Sequence, residues 1–294
     1  MKKMVFIINP FSGKVKIKPV LLDVLRIFNE AGYMVQVLTT LYRGHATEIA
    51  RTVSDDADII VASGGDGTLN EVITGLLKSG KSVPVGYIPT GSTNDFAKTL
   101  EISSDCKVAA KTILDGSPFA IDIGDFNHER YFSYIASFGV FTAVSYNTSQ
   151  NFKNIFGHLA YVFEGVKDIT KIVSYHVKTV VDGVELEGDY IFGSVTNTTS
   201  VGGIVKLNSE MVKMNDGLFE VVLVKTPKSL NGFTNIINGL TTSNFEGEAF
   251  DFIKGKNVVM TFEQDMDWSI DGEHAKTGNV VEISNLQTAA TIIK

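Results

Sequence analysis

Residues 58–77 read DIIVASGGDGTLNEVITGLL, and the fold follows from this stretch. A short apolar run, DIIVA at 58–62, has the length and β-branched content of a buried strand. It runs straight into Gly64-Gly65-Asp66-Gly67-Thr68, and a helical pattern follows at 69–77. Glycines allow a tight turn and let a ligand approach the backbone. The helix start offers free N–H groups and the positive end of a dipole, a site for phosphate. The bland alternative is a strand-to-helix turn capped by Asp66 or Thr68. The loop is neither a GxxxxGK[ST] phosphate loop nor a GxGxxG dinucleotide fingerprint.

Moving outward, residues 1–115 alternate strands with helices. Strands are expected at 4–8, 35–39, 58–62 and 83–88, and helices at 19–29, 45–53, 69–77, 95–100 and 107–114. Such alternation implies crossover connections and a parallel, doubly wound sheet whose ligands bind beyond the carboxyl ends of strands. The Gly-rich segments 9–14, 64–68 and 91–94 all fall there.

From residue 119 the period changes. Segments 119–124, 131–137, 176–181, 190–195, 218–224, 257–262, 268–271 and 280–283 read as strands, with hairpin dipeptides at Asp182-Gly183 and Asp271-Gly272. Helices are expected at 152–169 and 228–240. The expected architecture is α/β plus β. Residues 1–120 form an N-terminal nucleotide domain, and 121–285 a mainly β domain, an antiparallel sandwich. Residues 286–294 are expected to pack back onto the first.

The chain has 294 residues and a net charge of −7, with 44% hydrophobic and 20% charged residues, ordinary globular values. The negative charge argues against nucleic acid as the partner. No apolar run is long enough to span a bilayer, and residues 4–8 are too short for a secretory leader. Cys106, the single cysteine, excludes an intrachain disulfide and a cysteine zinc site, which fits a reducing cytoplasm. Lys14, Lys16 and Lys18 form a basic stretch that reads as a solvated loop or as a patch facing phosphate or lipid.

The string GGDGTLNE at 64–71 resembles the signature of the diacylglycerol kinase catalytic domain, shared with sphingosine kinases and bacterial lipid kinases. GGDG[TS] alone also occurs in NAD kinases and phosphofructokinases, whose nucleotide domain is similar. Further resemblances follow in the family's order: Asn9-Pro10 with Ser12-Gly13-Lys14, then Pro89-Thr90-Gly91-Ser92-Thr93-Asn94-Asp95-Phe96-Ala97. Asp216-Gly217-Leu218-Phe219-Glu220 and Ile270-Asp271-Gly272-Glu273 complete the set. The Asn94-Asp95-Phe96 string counts against an NAD kinase. Length and two-domain plan resemble the soluble bacterial diacylglycerol kinases best.

The resemblance implies an ATP- and Mg²⁺-dependent kinase that phosphorylates a lipid hydroxyl at the cytoplasmic face of the membrane. Diacylglycerol is the expected acceptor. A polyprenol, a sphingoid base, a phosphatidylglycerol-type lipid and, more distantly, NAD are the alternatives, and a homodimer is left open. The implied ATP site comprises Asn9, Ser12, Lys14, Thr40, Gly64, Gly65, Asp66, Gly67, Thr68, Leu69, Asn70, Ser92 and Asn94. Thr40 fits the family's T-x-x-x-G spacing before Gly44, and Ser92 stands where the family usually has Thr.

Asp66 and Asp95 are candidate catalytic acids, able to orient Mg²⁺ through water or simply to cap helices. Glu273 is the expected general base for the lipid hydroxyl. Asp271 assists it or only shapes the turn. A structural Mg²⁺ is implied at the Asp216 carboxylate and the carbonyls of Lys213 and Leu218. Here the sequence LNSEMVKMNDG at 207–217 lacks the family's proline and carries Asn215 in place of an Asp, one negative charge fewer. Glu164 stands where related bacterial enzymes carry a basic residue, with Lys167 one turn away.

Overall fold

The protein is described from a computed structural model covering residues 2–13, 16–92, 94–140, 173–201, 205–207 and 212–294. Lys14, the expected helix at 152–169, Glu164 and Lys167 lie outside the described residues. The chain divides into two compact units, Met1–Asp122 with Thr288–Lys294, and Ile123–Gln287.

The first unit is a parallel sheet with helices in its crossovers. Strands β1 (Lys2–Ile8), β2 (Tyr33–Thr39), β3 (Ile59–Gly64) and β4 (Val85–Pro89) run in the order β4-β3-β1-β2. β3 and β4 are buried along their whole length, as continuous apolar runs in a two-sided parallel sheet should be. The helices are α1 (Leu21–Glu30), α2 (His45–Val53), α3 (Asp66–Ser79), α4 (Asp95–Thr99) and α5 (Cys106–Asp115). α1 buries Val24 and Phe28, and the Phe28 ring meets Phe6 of β1 edge-on at 5.9 Å. α3 starts three residues before its apolar periodicity, because Gly65 is its N-cap and the loop glycine Gly67 already belongs to its first turn.

The second unit is antiparallel. Its strands are β5 (Pro118–Phe126, entering from the first unit), β6 (Arg130–Phe132), β7 (Ile135–Gly139), β8 (Tyr175–Val181), β9 (Val184–Thr196), β10 (Ser200–Val201), β11 (Val205–Lys206), β12 (Phe219–Lys225), β13 (Phe250–Gly255), β14 (Asn257–Phe262), β15 (Met266–Ile270), β16 (Glu273–Thr277) and β17 (Val280–Ile293). The main path runs β16-β15-β7-β9-β8-β14-β17, with β12 on β9 and β13 on β12. Helix α6 (Leu230–Thr242) follows β12, capped by the Ser229 hydroxyl on the Gly232 N–H. Its Leu230 is exposed.

Alternating inward residues of this unit build an aromatic core. Trp268 packs 5.2 Å from both Phe126 and Phe138, and Phe138 lies 4.9 Å from Phe262. Both hairpin dipeptides form primed-type turns, with φ of 45° and 89° at Asp182-Gly183 and 48° and 81° at Asp271-Gly272.

Four expectations are corrected. The expected strand at 131–137 is two strands, broken where the Asp271 carboxylate draws the N–H groups of Ser133, Tyr134 and Ile135 out of the ladder. β13 and β16 are strands that the sequence pattern does not announce. Among the described residues both are edge strands with a single partner, and they carry charged residues, so alternation is blurred there. β17 runs ten residues past the expected 280–283, and its final stretch pairs in parallel with β4, Ile292 opposite Val85.

Candidate functional site

β1, β3 and β4 are adjacent and parallel, so the loops that follow them share the carboxyl edge of the sheet. Backbone bonds tie these loops together. Asn9 N–H donates to Ser63 O at 2.8 Å, and the N–H groups of Thr90 and Gly91 both donate to Gly64 O, at 2.8 and 3.1 Å. The Asn9 side chain holds Phe11 N–H with its carbonyl and donates from its amide to Thr68 Oγ1 at 3.0 Å.

Approach between the loops is close enough to require glycine. A Cβ on Gly91 would sit 2.5 Å from Gly65 Cα and 2.6 Å from Asn94 Oδ1. A Cβ on Gly13 would strike Thr90 O, and one on Gly64 would strike the Thr68 side chain. Gly65 is different: its Cβ would lie 3.5 Å from Gly91 Cα, an ordinary contact. Above these loops the N–H groups of Asp66 and Gly67 have no intrahelical acceptor, since they open α3. Ser12 Oγ is 3.7 Å from the Gly65 Cβ position, and Thr40, buried at the end of β2, donates its N–H to Ile8 O. Leu69 is buried, Asn70 half-buried and Ser92 exposed.

Asp66 and Asp95 are both buried. The Asp66 carboxylate accepts the N–H groups of Asp95 and Phe96, at 3.0 and 3.3 Å, so a residue of α3 caps α4. Asn94 enters that helix with φ 49° and donates its amide to Gly91 O. Burial, then the Asp95 charge beside it, push the Asp66 carboxyl up to about 6. The Asp95 carboxylate in turn accepts from Lys98 at 2.8 Å.

The linkage sign is fixed by the raised value. An acid whose folded pKa exceeds its ordinary 3.8 binds an extra proton when folded, so its contribution to stability falls as pH rises through about 6. The melting temperature of the wild type minus that of Asp66→Asn is therefore expected to shrink between pH 4 and pH 7 (about those values). A flat difference would mean that the carboxyl is not raised.

Glu71, the last residue of the GGDGTLNE string, was not among the expected site residues. Its carboxylate accepts the N–H groups of Gly44 at 2.8 Å and Ala46 at 3.1 Å, and its backbone carbonyl accepts the Thr47 hydroxyl. The glutamate thus caps α2 from α3 and fixes the turn after Thr40. Gly44, left-handed at φ 85°, supplies no side-chain cap of its own. Glu71→Ala is expected to cost about 1–3 kcal/mol by leaving these donors without their acceptor, read as a lowered denaturant midpoint.

In the second unit the Asp271-Gly272 turn delivers Glu273 to the first position of β16. Asp271 holds backbone in place, because its two oxygens take three N–H groups, Ser133 at 2.7 Å, Tyr134 at 3.1 Å and Ile135 at 3.0 Å. Glu273 is half-exposed and accepts Arg130 Nη2 at 3.2 Å.

The Asp216 carboxylate accepts the Leu218 N–H at 3.1 Å across Gly217, φ 80°. Two residues beyond Leu218, Glu220 is fully buried, 3.1 Å from Lys254. Burial, with Asp216 adding to it against the pull of Lys254, pushes the Glu220 carboxyl up to about 7.

Residues 3–126 match the diacylglycerol kinase catalytic domain, and residues 135–287 match the YegS C-terminal NAD kinase beta sandwich-like domain. A diacylglycerol kinase of Bacillus subtilis (strain 168) is 33% identical over 276 residues, 93% of this chain and 90% of its own. The chain belongs to the diacylglycerol kinase family. Diacylglycerol kinases of Staphylococcus epidermidis and Staphylococcus carnosus are each 32% identical, over 93% of this chain and 86% and 89% of their own. For the fold alone, a solved diacylglycerol kinase of Bacillus anthracis superposes with a TM-score of 0.75 at 22% identity, covering 99% of this chain and 96% of its own.

This member of the diacylglycerol kinase family is accordingly a lipid kinase, with an α/β nucleotide unit and a C-terminal β-sandwich unit. The glycine loops lie in its catalytic-domain match, and Asp216 and Glu273 lie in its C-terminal match. Among the described residues no helix of this kinase is long and apolar enough to cross a membrane.

Proposed function

We propose that the enzyme transfers the γ-phosphoryl group of ATP to the hydroxyl of diacylglycerol, giving phosphatidic acid. The observation that carries this reading is the convergence of three glycine loops on the N-terminus of α3. Phosphoryl transfer asks the protein chiefly to hold phosphates in line and to stabilise their charge. Backbone N–H groups at a helix start, with no side chain between them and the ligand, do this. The relatives' shared name, diacylglycerol kinase, supports the acceptor.

In this reading Asn9, Ser12, Lys14, Thr40, residues 64–70, Ser92 and Asn94 line the ATP site. Asp66 holds the mouth of that site by capping α4, and Asp95 lies beside it. Glu273 takes the proton of the lipid hydroxyl as its oxygen attacks the γ-phosphorus and ADP leaves. For Mg²⁺, the Asp216 carboxylate with the carbonyls of Lys213 and Leu218 is an all-oxygen donor set suited to a hard cation. Bound Mg²⁺ would supply charge stabilisation to the second unit.

Incubation with labelled ATP and a lipid panel tests the function, with NAD as control. Labelled phosphatidic acid is the expected product; label on a polyprenol, a sphingoid base or NAD, with none on diacylglycerol, would overturn the acceptor. Asp216→Ala is expected to abolish the Mg²⁺-dependent rise in melting temperature and to lower activity with it. An unchanged thermal response to Mg²⁺ would leave this turn as a turn only. A lipid acceptor is met in this reading by reversible binding at the inner face of the membrane from the cytoplasm. Co-sedimentation with diacylglycerol vesicles is the expected sign.

A further inference from the structure

Two sets of bonds join the β6–β7 corner to the β15–β16 hairpin, one running in each direction. From the hairpin, the Asp271 carboxylate takes the N–H groups of residues 133–135, and Asp271 N–H donates to Ile135 O at 2.8 Å. The corner is also held from β9, where the Thr196 hydroxyl and the Asn197 N–H both donate to Tyr134 O, at 2.7 and 3.1 Å. From the corner side, Arg130 at the start of β6 reaches back with two nitrogens. Nη2 donates to Glu273 Oε2 at 3.2 Å and Nη1 to His274 O at 3.3 Å.

The two halves of this brace do different things. Asp271 fixes backbone, so it places the Cα of Glu273. It does not choose among the rotamers of a half-exposed glutamate, a side chain with several freely populated torsions. Arg130 does choose. One arm of its planar fork holds the carboxylate, and the other holds the main chain of the next residue, so the carboxylate is fixed relative to its own strand. Lysine, a single point charge on a flexible stem, cannot make both bonds in one fixed geometry.

We propose that Arg130 is the positioning residue for Glu273: it presets the carboxylate that receives the lipid proton. This rests on the reading of Glu273 as the general base. A base must lie within hydrogen-bond reach of its proton, and a misplacement of about 1 Å can cost about a hundredfold in rate. Arg130 touches neither reacting atom in this scheme. Its effect passes through Glu273 alone.

The test is a double-mutant cycle on the full chain, reading kcat and KM for ATP with diacylglycerol in mixed micelles. Arg130→Ala is expected to lower kcat about tenfold to a hundredfold, with the ATP KM within about twofold of wild type. Arg130→Lys should recover part of the loss. In a Glu273→Gln background, Arg130→Ala should cost nothing further, because the residue it positions can no longer accept a proton. Arg130→Gln, matched in polarity, replaces the alanine variant if the latter melts early. Multiplying losses in the double mutant, or an Arg130→Ala enzyme near wild type beside a crippled Glu273→Gln, would overturn the positioning role alone. A Glu273→Gln enzyme near wild type would overturn the base, and the role of Arg130 with it.

Discussion

Glu273→Gln is expected to lower turnover on diacylglycerol by about 10²–10⁴-fold, the usual worth of a general base. The amide keeps the length of the side chain and an acceptor for Arg130, and the change lies on a half-exposed side chain outside the aromatic core. Stability should therefore change little. ATP affinity should also hold, because every loop assigned to the nucleotide belongs to the first unit and Glu273 to the second. The measurement is kcat with saturating lipid, beside ATP titration by thermal shift. Turnover within a few-fold of wild type would reduce Glu273 to a hairpin residue and leave the proton without its acceptor. Asp66→Asn is the contrasting change. An amide has one oxygen where two N–H groups now bond to a carboxylate, so both stability and nucleotide binding should suffer.

Gly91→Ala is expected to be a damaging single methyl group in the proposed nucleotide site. The added carbon would stand 2.5 Å from Gly65 Cα and 2.6 Å from Asn94 Oδ1. Backbone cannot swing aside as a long side chain can, so the two loops must part. Overpacking of this kind costs about 1–3 kcal/mol. The proposed phosphate cradle moves with the loops, and a loss of about a hundredfold in kcat/KM for ATP is expected. Gly65→Ala should be milder, since its carbon would make only an ordinary 3.5 Å contact. Gly65→Val extends branches into the space beside Ser12 Oγ and should approach Gly91→Ala in effect. The ranking is read from ATP-dependent thermal protection. Full protection by ATP in Gly91→Ala would mean that the closely packed loops are not where phosphate binds.

The α/β half was legible because its signals are local. Buried parallel strands are unbroken apolar runs, and 58–62 and 83–88 gave β3 and β4 away within a residue or two at most ends. The glycine strings marked the loops for the same reason: a close approach of backbones admits few other residues. Side-chain bonds between elements distant in sequence were not legible. Nothing local in Glu71 says that it caps a helix 25 residues earlier, and nothing in Asp271 says that it takes three N–H groups from residues 133–135, 136–138 positions away. The same long-range bonds broke the expected strand at 131–137, and they also brought Arg130 to Glu273. β13 stayed hidden because Asp251 and Lys254 interrupt its apolar pattern, each held by an ion pair, with Lys225 and with Glu220.

β17 gives the chain an unusual order of completion. The Asp122 carboxylate accepts the N–H of Thr288 at 2.7 Å, Ser117 and Lys294 exchange N–H···O bonds at 2.9 and 3.1 Å, and Ile292 lies beside Val85 of β4. During vectorial synthesis the first 122 residues leave the ribosome long before these partners do. Until then the β4 edge is a strand without its neighbour, open to pairing with other nascent chains. A ribosome that stalls anywhere between 122 and 288 therefore releases the first unit on an unfinished sheet, with the glycine loops of the proposed phosphate site already made.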